Sequence, residues 1–199
     1  MIVSRDIAPL FKAALERDEK AQCMLEIVRQ NTNGLLWIIG GYVFRTCASG
    51  LYGIERPPCD LDVIVSSIAS SPPGWEVQQN RFGTTKWVSA AGSIDVVPLY
   101  QVHYIASSHI QPTMVHYLQG TPLTVQSIVY DMYNGGLYGE SINALLRREV
   151  AVHNRFTFPY AAKMKGKSPA GYLEEMAQSL GFRSRLPPGL SSESSPKAL

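Results

Sequence analysis

The sequence predicts a single domain of the α/β (α+β) class, and three observations carry that expectation. Residues 35–40, LLWIIG, are continuously apolar, too short for a core helix and rich enough in β-formers for an interior strand. Two later stretches, CDLDVIVSS and SIDVVPL, alternate acidic with apolar residues as half-buried strands do. Segments with helical spacing flank these strands. The chain has 199 residues, 45% hydrophobic and 17% charged, enough to close one core and incompatible with wholesale disorder. A net charge of +2 is far from the strongly basic signature of a protein that works by neutralising phosphates.

Taken in order, residues 5–30 place Leu10, Phe11, Ala14 and Leu15, then Met24, Ile27 and Val28, at helical spacing, which predicts one long helix or two short ones. Asn33 and Gly34 are expected to stop it. The strand at 35–40 runs into Gly40-Gly41 and a helix ending near Gly50 or Gly53. After the turn ERPP, the second strand puts Asp60 and Asp62 on one side and Leu61 and Val63 on the other. SSIASSPPG reads as a loop, and residues 75–100 as a meander turning at Gly83 and Gly92, with Asp95 between Ile94 and Val96 on a third core strand.

Residues 101–118 give a mixed pattern, whereas Asn134-Gly135-Gly136 marks a hairpin within residues 121–139. ESINALLRREVAV predicts a short helix followed by a strand. Ser168 caps a last helix with Pro169 at its first position and Gly181 as its stop. Residues 187–199 read as a disordered tail. Cys23, Cys47 and Cys59 are odd in number and unpaired in spacing, which argues against a disulfide framework or a zinc site. The longest apolar run, LLWII, is far below the roughly 18 residues that span a bilayer. The expectation is a soluble, cytoplasmic protein with no membrane partner.

One group of residues can carry chemistry. Asp60 and Asp62 project from the same side of a strand, close enough to share divalent cations, and Asp95 on a neighbouring strand can supply a third oxygen ligand. Three such carboxylates repel one another unless cations sit between them, and hard oxygen donors favour Mg²⁺ or Mn²⁺. Two such ions stabilise the attacking and leaving oxygens in phosphoryl or nucleotidyl transfer. Gly40 and Gly41, at a turn entering a helix, offer backbone N–H groups to a triphosphate, and Arg45 one turn later can clamp phosphate oxygens.

The stretch IIGGYVFRTCASGLYG followed by CDLDVIV resembles the G-G-x-x-x-R and D-x-D motifs of the DNA polymerase β-like nucleotidyltransferase superfamily, in particular the head domain of bacterial poly(A) polymerases and CCA-adding enzymes. PLTVQSIVYDMYNGGLYGESINALLRREVAV is similar to the closing segment of that head domain. The resemblance covers residues 35–152 and implies a nucleotidyltransferase fold, a mixed or antiparallel central sheet with helices packed on one side. It assigns Gly40, Gly41 and Arg45 to nucleotide binding, and Asp60, Asp62 and Asp95 to metal binding and catalysis. The family has Asp where this chain has Thr46, and Arg-Asp where it has Thr121-Pro122. The helical regions that follow the head in those enzymes have no counterpart of comparable length here.

The implied organisation is an N-terminal helical segment at 1–34, a nucleotidyltransferase core at 35–155, a short helical extension at 156–186 and the tail at 187–199. The implied function is metal-dependent transfer of a nucleoside monophosphate from an NTP to an acceptor hydroxyl, on a nucleic-acid 3′ end, a protein or a small molecule, with release of pyrophosphate. The alternative is a degenerate module of the same fold that binds nucleotide or protein without turnover, as in a toxin–antitoxin system. Arg147, Arg148, Arg155, Lys163, Lys165 and Lys167 make the C-terminal third locally basic, a solvated face or a seat for an RNA acceptor. Trp37 reads as core, His103, His109 and His116 as ordinary, and Tyr130, Tyr133 and Tyr138 as hairpin packing.

Overall fold

A computed structural model of the chain describes residues 7–57 and 59–186, so the expected tail at 187–199 lies outside the described residues. Two amphipathic helices, α1 (Ile7–Arg17) and α2 (Glu19–Asn31), come first. Asp18 separates them and caps α2 by accepting the Ala21 N–H at 3.0 Å. The same carboxylate accepts the Tyr42 hydroxyl at 2.9 Å and Arg56 Nη2 at 2.7 Å, which ties the helix pair to the next helix. The expected stop at Asn33-Gly34 falls elsewhere, because α2 ends at Asn31 and strand β1 (Thr32–Ile39) begins at once. Gly34, at φ +75°, sits in a bulge of β1 where a Cβ would collide with Ser66 and where Ser66 Oγ accepts the Leu35 N–H at 2.9 Å.

Helix α3 (Gly40–Tyr52) follows and closes on Gly53 in the left-handed conformation. Then come β2 (Leu61–Ile68), the meander β3 (Glu76–Gln79), β4 (Thr85–Ser89) and β5 (Gly92–Pro98), and the short helices α4 (His103–Ser108) and α5 (Met114–Gln119). The hairpin is β6 (Val129–Asp131) with β7 (Leu137–Tyr138), and α6 (Ser141–Arg147) leads into β8 (Glu149–Ala151). The chain continues through α7 (Thr157–Met164), α8 (Pro169–Gln178) and β9 (Arg183–Arg185). Seven strands form one sheet in the order β3-β4-β5-β2-β1-β6-β7, parallel only between β2 and β5. The mixed sheet of the expected nucleotidyltransferase fold is therefore present.

Strand alternation divides the sheet into two apolar faces. Leu36, Ile38, Leu61, Val63, Val65, Trp87, Ile94 and Val96 face the main core, which also takes side chains from α1, α2, α3, α6, α7 and α8. The opposite face carries Trp37, Ile64, Leu99 and Val129 under Ile105 of α4 and Tyr117 of α5. The principal helical layer thus lies on one side, and residues 101–118, ambiguous in sequence, form a smaller layer on the other. Two elements have no bounds in the sequence pattern: α7, which falls within the expected helical extension at 156–186, and β9, which pairs in parallel with β8. Glu149 holds that second pairing by accepting Arg183 at 3.2 Å and Arg185 at 3.3 Å. Among the described residues no helix is long and apolar enough to cross a membrane.

Phe11 is fully buried, its ring 4.7 Å from Tyr130 and 6.1 Å from Tyr42. Phe11→Ala is expected to cost about 3–5 kcal/mol in urea unfolding, within one cooperative transition. A loss under about 1 kcal/mol would show that the N-terminal helices are not part of the main core.

Candidate active site

The register of β1, β2, β5 and β4 lines up four residues in one row across the sheet: Ile39, Asp62, Asp95 and Lys86. Residues at i and i+2 share a face, so Asp60 stands beside Asp62, and all these side chains lie on the sheet face that carries α4 and α5. They border a cleft of about 690 Å³, enclosed by the start of α3, the β3–β4 turn, α4, α5, α7 and α8. Gly40 and Gly41 form its rim where β1 passes into α3. Gly40 has φ +68°, and a Cβ there would stand 2.5 Å from Asp62 Oδ2. Glycine is required twice over, by the backbone conformation and by the approach to the carboxylate.

Asp62 lies deep in the cleft floor while keeping some surface open to it. Burial raises its pKa most, and the neighbouring Asp95, through its charge and a hydrogen bond, and then Asp60 raise it further. Asp95 Oδ1 is buried and has no hydrogen-bond partner among the described residues. Asp60 is engaged differently: Ser93 donates to its Oδ1 at 2.6 Å, and Lys86 makes a close ion pair with its Oδ2. Desolvation works against its ionised form, but these donors together hold the pKa of Asp60 below the usual range. Lys86 Nζ also lies 3.8 Å from Asp95 Oδ1.

The structure therefore brings Asp62 and Asp95 together and turns Asp60 toward Lys86 and Ser93. Among the described residues no three His, Cys, Asp or Glu side chains are gathered as a set that could hold a metal ion. The Asp62–Asp95 pair does suit a divalent cation, since it presents hard oxygens, one of them buried without a donor, and like charges that a cation would relieve.

Arg45 on α3 has no acidic partner among the described residues. Its Nη2 donates to Ser179 Oγ at 3.2 Å, and its Nη1 is buried with no hydrogen-bond partner. Desolvation holds its pKa below the ordinary arginine value. Thr46, where the resembling family has Asp, points the other way into the core, donating to the Tyr42 carbonyl at 2.6 Å and accepting from Arg56 Nη1 at 2.9 Å. Thr121 and Pro122 line the cleft, with the Thr121 hydroxyl donating to the Leu118 carbonyl at 2.8 Å.

Several cleft residues were not singled out as site residues in the sequence. Lys86 could have been found by placing the strand at 85–89 opposite the strand carrying Asp95, since alternation with buried Trp87 puts it on the other face. His103 of α4 stacks on Tyr160 of α7 with ring centroids 3.7 Å apart, and Phe82 of the β3–β4 turn lies 6.3 Å from the same ring. Burial lowers the His103 pKa. The basic third of the chain has several surroundings. Lys165 lines the cleft with its pKa lowered by desolvation, Lys167 pairs with Glu175, and Arg148 packs over the rings of Tyr52 and Phe182. Tyr130 is buried in the main core, whereas Tyr133 donates to the Gly34 carbonyl at 2.8 Å.

No family model and no curated protein matches the sequence. Solved structures do match the fold. The CCA-adding enzyme of Bacillus stearothermophilus in complex with CTP is similar with a TM-score of 0.56 and 18% identity, over 86% of this chain and 41% of that one. A tRNA-processing enzyme in a complex is similar with a TM-score of 0.53 and 17% identity, over 80% of this chain and 42% of that one. An apo form of a tRNA-processing enzyme gives a TM-score of 0.51 and 15% identity, over 84% and 44%. The chain spans about two-fifths of the length of these proteins. At this identity the likeness is one of fold, and it is the fold the sequence motifs imply.

The Asp62 environment makes stability depend on pH. An unfolded aspartate loses its proton near pH 4, whereas native Asp62 keeps it to higher pH. Its contribution is therefore full in acid and falls as pH rises toward the raised native value. In metal-free buffer, Asp62→Asn is expected to raise the thermal midpoint by about 3 °C or more at pH 8 and by less at pH 5. Equal shifts at the two pH values would contradict the assignment.

Proposed function

We propose that the chain is a nucleotidyltransferase that moves a nucleoside monophosphate from an NTP to an acceptor hydroxyl. One observation carries the reading: a carboxylate pair, a glycine-led helix start and an arginine with an unpartnered buried nitrogen converge on a single cleft. Each supplies what the reaction needs. The free N–H groups at the start of α3 and the Arg45 guanidinium bind phosphate oxygens. Asp62 and Asp95 would hold Mg²⁺ or Mn²⁺, with Asp60 on the same strand face. When bound, such an ion neutralises phosphate charge and makes an acceptor hydroxyl more acidic.

In the reaction, the acceptor oxygen bonds to the α-phosphorus as the bond from that phosphorus to the pyrophosphate oxygen breaks. Pyrophosphate leaves with the electron pair. The hydroxyl proton passes to a carboxylate oxygen of Asp95. Arg45 stabilises the leaving group's charge. Support for an NTP comes from the fold likeness to an enzyme in complex with CTP, and support for an RNA 3′ hydroxyl as acceptor from the likeness to tRNA-processing enzymes. A second reading, nucleotide binding without turnover, is favoured by the engagement of Asp60 with Lys86 and Ser93.

Incubation with each α-labelled NTP, Mg²⁺ or Mn²⁺ and a total-RNA or lysate acceptor pool separates the two. Label transfer is expected, falling at least about a hundredfold in Asp62→Ala. Arg45→Ala is expected to weaken nucleotide binding by about ten- to a hundredfold, the loss of a charge-assisted contact, as read by calorimetry. Mg²⁺-dependent binding without transfer to any acceptor would establish the second reading instead.

A further inference from the structure

Lys86 is the basic side chain that, among the described residues, forms ion pairs with these carboxylates, and three observations define its role. The β4–β5 ladder pairs it directly with Asp95, so its position is set by the sheet and not by a mobile loop. Its ammonium pairs closely with Asp60 Oδ2 and lies 3.8 Å from Asp95 Oδ1, spanning the gap between the first and third carboxylates. Its side chain is only 21% exposed and lines the same cleft as Gly40 and Gly41.

The charges divide accordingly. Both oxygens of Asp60 already accept donors, from Ser93 and Lys86. Among the described residues Asp95 Oδ1 accepts no hydrogen bond, and Lys86 acts on Asp62 through its charge, as the smallest of the influences on that carboxylate. A second divalent ion at Asp60 and Asp95 would have to displace the Lys86 ammonium from between them, and at such distances two cations repel strongly. An ammonium is a compact positive charge that can stand where an ion would, and it needs no acquisition from solution.

We infer that Lys86 takes the place of one of the two cations of this site, so that a single divalent ion, held by Asp62 and Asp95, works beside a built-in ammonium. The inference rests on the nucleotidyltransferase reading and fixes its metal stoichiometry. Lys86 neutralises Asp60 and orients it, and Asp62 and Asp95 would hold the one ion, which would supply neutralisation of phosphate charge.

The test counts Mn²⁺ bound to the full chain by electron paramagnetic resonance, with a saturating α,β-methylene NTP as the probe nucleotide. One ion per chain is expected in the wild type. Two are expected in Lys86→Ala, where Asp60 and Asp95 are released, and in Lys86→Met, which keeps the packing of the long side chain. Circular dichroism checks that both variants are folded. Two ions in the wild type, or one in all three proteins, overturns the inference and leaves the nucleotidyltransferase reading intact. No Mn²⁺-dependent nucleotide binding in the wild type overturns both.

Discussion

Asp62 and Asp95 sit side by side because β2 and β5 run parallel with Leu61 opposite Ile94, and most of the site follows from that register. Two ionised carboxylates at hydrogen-bonding distance repel by about 4 kcal/mol in a partly screened environment. The sheet holds them there through apolar neighbours on the opposite face, Leu61, Val63, Ile94 and Val96, all fully buried. A one-residue slip of either strand would send one carboxylate into the main core and one of those apolar residues into the cleft. The core therefore fixes a charge arrangement that the charges alone would not adopt.

The neighbouring features can be read as responses to that arrangement. Gly40 leaves Asp62 Oδ2 uncovered and carries the chain into α3, whose first two residues line the cleft. Lys86 enters the same row of the sheet from β4. Arg45 lies further along α3 beside Ser179, which belongs to the turn after α8. The C-terminal helices are thus part of the cleft as well as of the main core, since α7 supplies Tyr160 and Ala161 to the one and Phe158 and Ala162 to the other.

Much of this was legible in the sequence, because the signals were periodic. Alternation marks the strands of Asp62 and Asp95 and the common side of Asp60 and Asp62, and the glycine pair after an apolar run marks the start of α3; that Asp95 stands directly beside Asp62 comes from the strand register. Residues 101–118 were not legible: α4 and α5 have only six residues each, fewer than two turns, too few to establish a period. Helix α7 was hidden for another reason. Pro159 lies within it, and its small buried residues, Ala161 and Ala162, give a weak apolar stripe. The pairing of Asp60 with Lys86 is a contact across 26 residues of sequence, set by how β4 folds back on β5, and no local pattern encodes it.

Thr46 stands where the resembling family has Asp, and its contacts lie outside the cleft. An aspartate there would stand beside Asp18, whose carboxylate is already satisfied by Ala21, Tyr42 and Arg56. It would compete for the same Arg56 guanidinium, which now reaches Thr46 Oγ1 with Nη1 and Asp18 with Nη2. The threonine hydroxyl accepts that bond without adding charge and spends its proton on the Tyr42 carbonyl. In this chain the Arg56 fork thus binds α3 to the N-terminal helix pair, and position 46 serves the attachment of those helices. The change lies on the side of α3 away from the carboxylate row, so it leaves the arrangement of Gly40, Arg45, Asp62 and Asp95 intact.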